Sequence, residues 1–292
     1  VFYSFKHSPL TIIAAVIIMI YIVSTVFAVY VAPHNPFDLK TLNLLDAFTP
    51  PTFTGRGNPE YFLGTDDQGR DVLSAIIFGS RMSLVIGVCA TLLAAAVGVT
   101  LGLISGYAGG KVDAFIMRVA DVQLSFPAIL IALLIDGLAR AALPKNMHDQ
   151  LAVYVLIFAI AAAGWVNYAR TVRGSTLVER NKEYVQAARV IGRHPMAIMF
   201  AHVLPNVLGP VLVIGTLQIG AAIITESSLS FLGVGVPPTQ PSLGTLIRIG
   251  NDFLFSGEWW ITVFPGAALV ILVLSINVLG DWLRDALNPR LR

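Results

Sequence analysis

The chain has 292 residues, 56% of them hydrophobic and only 12% charged, with a formal net charge of +2. Soluble domains carry about 25% charged residues, so a mean hydropathy of +0.77 excludes an ordinary soluble domain. The single cysteine, Cys89, excludes an internal disulfide and a Cys-rich metal or redox centre.

Membrane-crossing helices need about 20 mainly apolar residues. Six segments approach that length: 10–32, 82–106, 122–141, 151–169, 206–231 and 261–283. Alternating strands of about 10 residues, the mark of a membrane barrel, are absent. The first segment is longer than the roughly 7–15 apolar residues of a signal peptide, so it reads as a retained span. The chain opens on Val1 rather than methionine, which leaves room for a few preceding residues.

Residues 33–81 follow. Pro33, Pro36, Pro50, Pro51 and Pro59, with Gly55 and Gly57, argue against regular structure up to about Tyr61. Val72, Leu73, Ile76 and Ile77 then predict an amphipathic helix lying at the membrane surface. Asp66, Asp67 and Asp71 lack the spacing of an EF-hand loop and read as a capped helix start. The expected division is therefore 1–81, a first span with a long outer segment, and 82–292, a five-helix core with a coupling loop at 170–205.

In the second span Ala90, Ala94, Gly98, Gly102 and Gly106 recur every four residues and form a close-packing face. Cys89 beside them reads as a small packing residue. The Gly-rich stretch ending at Lys111 fails as a phosphate loop, because Ser105 and Val112 break the Walker pattern. It is expected to be a short turn into the third span, kinked or started by Pro127. Asp136 and Arg140, four apart, are expected to pair. Trp165 and Tyr168, and Trp259 and Trp260, sit near span ends and read as interfacial aromatics.

Between the fourth and fifth spans lies a polar stretch, 181–206. Asn181 is the expected N-cap, with Glu183 in the first turn. Tyr184, Ala187, Ala188 and Ile191 share a face with alanine at its middle, which permits close approach by a partner. Gly192 is placed to end this helix, and Pro195 to start a second that stops before Pro205. Glu226, an acid inside the fifth span, admits two roles. With Ser227 and Ser228 it lines the outer mouth of a pathway, or it bonds the neighbouring serines and caps the 233–238 turn.

With the N-terminus inside, the inner segments collect Lys6, Lys111, Arg118, Arg170, Arg173, Arg180, Lys182, Arg189, Arg193, Arg284, Arg290 and Arg292. The outer ones hold Lys40, Arg56, Arg70, Arg81, Arg140, Lys145 and Arg248, with most of the acids. This bias predicts both termini on the cytoplasmic side. An ion-coupled secondary transporter would favour several midplane ionisable groups and inverted repeats, and neither is evident. An intramembrane enzyme is disfavoured too, because His7, His34, His148, His194 and His202 form no H-E-x-x-H pair.

Gln186-Ala187-Ala188, Gly192 and Leu204-Pro205 resemble, in register, the EAA loop of ABC importer permeases. The chain departs from that pattern at Gln186 and His202, so no role for a negative charge at 186 carries over. "LGTDDQGRDVLS", "GYAGGKVDAFIMRVAD", "ESSLSFLGVGVPP" and "GDWLRDALNPRLR" are similar to the second permease subunit of dipeptide/oligopeptide/nickel importers. The resemblance covers about 33–292 and departs at Leu243. It implies an all-α, six-span type I permease with a cytoplasmic coupling helix in a bacterial inner membrane. It implies a homologous second permease, two cytoplasmic ATPases holding ATP and magnesium, and an extracytoplasmic solute-binding protein. No cofactor in this chain and no nucleic-acid partner are expected. Glu183, Gln186, Ala187, Ala188, Gly192, Leu204 and Pro205 would form the ATPase contact.

Overall fold

The computed structural model describes residue 5 and residues 8–38 and 42–287. Lys6, His7, Lys40, Arg290 and Arg292, which enter the sequence readings above, lie outside them. Helix α1, Pro9–Val26, presents Leu10, Ile13, Val16, Met19 and Ile20 outward, as a lipid-facing span does. Its Tyr21 hydroxyl donates to the Ala268 carbonyl at 2.8 Å and holds it to the last span.

Helix α2, Val72–Ala108, runs unbroken for 37 residues. At 1.5 Å per residue that is about 55 Å, well beyond the roughly 30 Å hydrocarbon core. The predicted surface helix is therefore the first turns of α2. Val72 and Ile76 do not float on lipid: they are buried against Leu243, Leu246 and Trp260. Asp71 caps the helix by accepting from the Ser74 amide at 2.8 Å and its hydroxyl at 2.6 Å.

The third predicted span is broken. Helix α3, Gly110–Leu124, meets helix α4, Ala128–Ala142, at 94°. Pro127 cannot continue α3 and starts α4 instead. The expected short turn into this span is thus a helix of 15 residues. Five described helices are long and apolar enough to cross a membrane, or six if α3 and α4 count as one span. In α4 the Arg140 Nε donates to Asp136 at 2.6 Å, the expected self-pairing.

Helix α5, His148–Glu179, packs along α2. The small-residue stripe makes this contact. A Cβ at Gly98 would meet the Trp165 carbonyl, one at Gly102 the Ala169 carbonyl, and one at Gly106 the Thr176 side chain. Trp165 and Tyr168 are consequently core residues, not interfacial ones. Tyr168 is fully buried, and the Trp165 indole donates to Gln123 at 2.7 Å. Cys89, by contrast, is exposed: it sits off the stripe, on a groove shared with α1.

Helix α6, Glu183–Val190, is followed by a turn at Pro195–Ile198, a π segment at Met199–Val203 and helix α7, Leu204–Phe231. The expected stop before Pro205 does not occur. Proline clashes with the carbonyl four residues back, and the wider π turn ahead of it relieves that clash. Helix α8, Leu243–Asn251, is amphipathic and wedges beside α7, with Leu243 wholly buried. Helix α9, Trp260–Leu287, closes the bundle against α7 and α1. Trp260 is buried and donates to the Thr65 carbonyl at 3.0 Å, so only Trp259 keeps an exposed ring.

Candidate functional site

Two regions carry the chemistry left over after packing. The first is the end of the bundle built from α3, α6 and the start of α7. Lys182, not Asn181, is the N-cap of α6, and the Asn181 side-chain Nδ2 donates back to the Leu177 carbonyl at 3.1 Å. Glu183 and Gln186 are exposed on this helix. Gly192, at φ +75°, ends it. Its amide bonds the Arg189 carbonyl at 3.0 Å, and the Arg193 amide bonds the Ala188 carbonyl at 3.1 Å. This is a Schellman closure, which places a left-handed residue just past the helix. A side chain at 192 would meet nothing within 4 Å, so the glycine serves the backbone, not space.

The two alanines separate. Ala188 is 4% exposed and packs with Val185 against Leu103, Val172, Ile198 and Val203. Ala187 faces out, beside Val190 at 87% and Ile191 at 75% exposed. The single docking face expected from 184, 187, 188 and 191 is therefore two faces, one inward and one outward. Leu204 and Pro205 sit at the start of α7, behind this helix.

The outward face stands on a rigid base. The Tyr184 hydroxyl donates to Glu179 at 2.7 Å and accepts from Asn206 at 3.1 Å, tying α5, α6 and α7 together. Burial, then the bond to Glu179, pushes its phenol up to about 12, so it stays a donor at neutral pH. Arg180 donates to the Gly106 carbonyl at 2.9 Å and closes the end of α2. Arg173 grips Asp113 with two bonds, and Arg170 pairs with Asp121, fixing α3 to α5. Arg189 lies 5.0 Å over the Tyr107 ring. Lys111, Arg118 and Arg193 are exposed and have no ion partner among the described residues.

The second region is inside the bundle. Glu226 is wholly buried. Ser230 donates to one carboxyl oxygen at 2.7 Å, Ser83 to the other at 2.8 Å, and Ser227 to that same oxygen at 3.3 Å. The bonds join α7 to α2, and Ser83 in turn accepts from the Leu243 amide of α8 at 3.2 Å. Ser228 points away and bonds its own helix at the Ile224 carbonyl. Next to this knot, α2, α4, α5 and α7 enclose a half-open cleft of about 160 Å³. Its polar lining is Thr91, Asn167, Gln218 and Thr225, set among alanines. Sequence reasoning passes over these four residues. Their signal is a neutral polar side chain within an apolar span.

Residues 98–292 match the family described as binding-protein-dependent transport system inner membrane component. The chain belongs to that family. It is accordingly a multi-pass inner-membrane permease of the ABC type, not an ion-coupled carrier. It is 37% identical to the dipeptide transport system permease protein DppC of Haemophilus influenzae, over 99% of this chain and 93% of that one. It is 37% identical to the oligopeptide transport system permease protein OppC of Bacillus subtilis, over 99% and 88%. Against the glutathione transport system permease protein GsiD of Pectobacterium atrosepticum the figures are 35%, 99% and 89%. An inward-facing structure of the MetNI methionine ABC transporter shares the fold, with TM-score 0.57 and 17% identity over 73% of this chain and 96% of that one. Permeases of this kind work with ATP-binding subunits and a second permease.

Proposed function

We propose that this permease forms half of the pore of an ATP-driven importer for di- or oligopeptides. A homologous permease supplies the other half, two cytoplasmic ATPases drive it, and an extracytoplasmic binding protein delivers the peptide. The relatives named for dipeptide and oligopeptide transport support the substrate class. Both termini lie in the cytoplasm, which puts α6 on the ATPase side. ATP and magnesium are held by the partners, and this chain performs no catalysis itself.

One observation carries the coupling role: Val190 and Ile191 are exposed on a helix whose other face, Val185 and Ala188, is locked into the bundle. An apolar pair projecting from a short, capped, internally braced helix is a contact for another protein. Ala187 completes that outward face. Movement of the ATPases then reaches α5 and α7 through Tyr184 and through Ala188, and rocks the spans between inward and outward states. The assembled complex tests this. Ile191→Asp is expected to leave the permease inserted and folded while the ATPases no longer co-purify and peptide uptake falls at least about tenfold. Normal co-purification and uptake with Asp at 191 would refute the contact.

A further inference from the structure

The cleft between α2, α4, α5 and α7 holds three polar groups with no partner among the described residues and a fourth with an acceptor to spare. Thr91 is 6% exposed, yet its hydroxyl is buried without a hydrogen-bond partner. Buried polar groups are ordinarily paired, so a lone one that lines a cavity marks a place for a ligand group. Asn167 and Gln218 have no partner among the described residues either. Thr225 gives its proton to the Ala221 carbonyl at 2.9 Å and keeps its oxygen free to accept. The rest of the wall is alanine, with Ala128 as the contribution of α4, together with Gly164 and a single larger Ile160, which leaves the polar tips accessible.

The cleft has no ionisable lining residue. The nearest charge along α5 is Arg170, which is paired with Asp121. Glu226, one residue past Thr225, is sealed among serines and turns away from the cavity. Two of the polar groups stand in separate tiers, with Thr225 seven residues beyond Gln218 on α7. That separation is about 10 Å along the helix. An extended peptide advances about 3.3 Å per residue, so the tiers are about three residues apart in peptide terms. Amides and hydroxyls both donate and accept, as peptide groups do.

We propose that Thr91, Asn167, Gln218 and Thr225 form a neutral translocation subsite that grips the main-chain amides of a passing peptide and is indifferent to its side-chain charge. Such a subsite lets one pathway carry peptides of many sequences, because each residue of any peptide presents the same N–H and C=O. The inference rests on the peptide reading above.

The test uses the whole complex in proteoliposomes with its binding protein. Uptake of Ala-Ala-Ala, Lys-Ala-Lys, Glu-Ala-Glu and trialanine N-methylated at its central amide is compared between wild type and variants. Gln218→Leu keeps the bulk and removes the amide. It is expected to lower uptake of the three unmethylated peptides by one common factor of about tenfold, with assembly intact. The penalty for N-methylation should shrink in this variant, as for any two groups that interact. Gln218→Glu should create a preference for Lys-Ala-Lys over Glu-Ala-Glu that wild type lacks. If the wild type takes up none of these peptides, the peptide reading fails and the subsite with it. If the wild type takes them up and the variants match it, or Gln218→Leu lowers only charged peptides, the subsite alone is overturned.

Discussion

Two polar segments interrupt this apolar chain, and they treat their polar groups in opposite ways. In residues 42–71 the charged cluster at 66–71 turns inward, while Leu44, Leu45 and Phe62 are exposed. Asp66, Arg70 and Asp71 are each no more than 4% exposed. Asp66 accepts from Arg70 Nε at 2.6 Å and from the Gln68 and Arg70 amides at 2.9 Å. Residues 181–206 turn outward: their braces are internal, but Val190, Ile191 and Arg193 face solvent. The difference teaches how to tell a structural polar segment from an interacting one. In the first, Asp66 and Arg70 pair inside the fold and Asp71 caps α2. In the second, apolar side chains are exposed on a helix that the rest of the fold holds still.

Breaking the inward segment should cost the most. Arg70→Ala strands Asp66, and loss of one partner of a buried pair costs about 3–5 kcal/mol. The expected outcome is a large fall in the thermal unfolding temperature of the purified permease. Arg193→Ala, on the exposed segment, should leave that temperature unchanged. Equal effects from the two substitutions would erase the contrast.

Gly192→Ala should have a smaller effect. The added methyl has room, so only the left-handed backbone penalty of about 1 kcal/mol applies. Stability should change little, while the number of ATP molecules hydrolysed per peptide carried rises as the turn after α6 loosens. A large drop in stability would show that 192 is a packing position.

The smallest expected effect concerns pH. Burial, then the neighbouring Asp66, holds the Asp67 carboxyl above its ordinary range. The folded state therefore keeps its proton at pH values where the unfolded chain has lost it. The sign follows: stability contributed at this position falls as pH rises from the ordinary carboxylate range through the raised value. Asp67→Asn should flatten that slope in thermal unfolding measured from the ordinary carboxylate range upward. A slope unchanged by the substitution would remove Asp67 as its source.

Much of this was readable in the residues. The stripe from Ala90 to Gly106 announces a close helix contact because its period matches a helix face. Gly192 and Pro195 announce a break because their backbone preferences are local. Sequence fails where the outcome depends on which helix lies opposite. Trp165 and Tyr168 read as interfacial aromatics until the glycines of α2 are set against them. Ala187 and Ala188 look equivalent until Val203 and Leu103 cover one of them. Pro205 reads as a stop because a π turn ahead of it has no simple composition signal. Asn167 and Gln218 are noticeable singly, but only the pairing of α5 with α7 brings them to one cleft.

The contrast between the two segments is tested most directly by photo-crosslinking in intact membranes of the assembled importer. A photoreactive amino acid replaces Val190, 87% exposed on the outward-turned segment, or Phe62, 62% exposed on the other. Both positions accept the probe without disturbing packing. The account predicts that the probe at 190 captures an ATP-binding subunit and the probe at 62 does not. Capture of that subunit from 62, or none from 190, would contradict it.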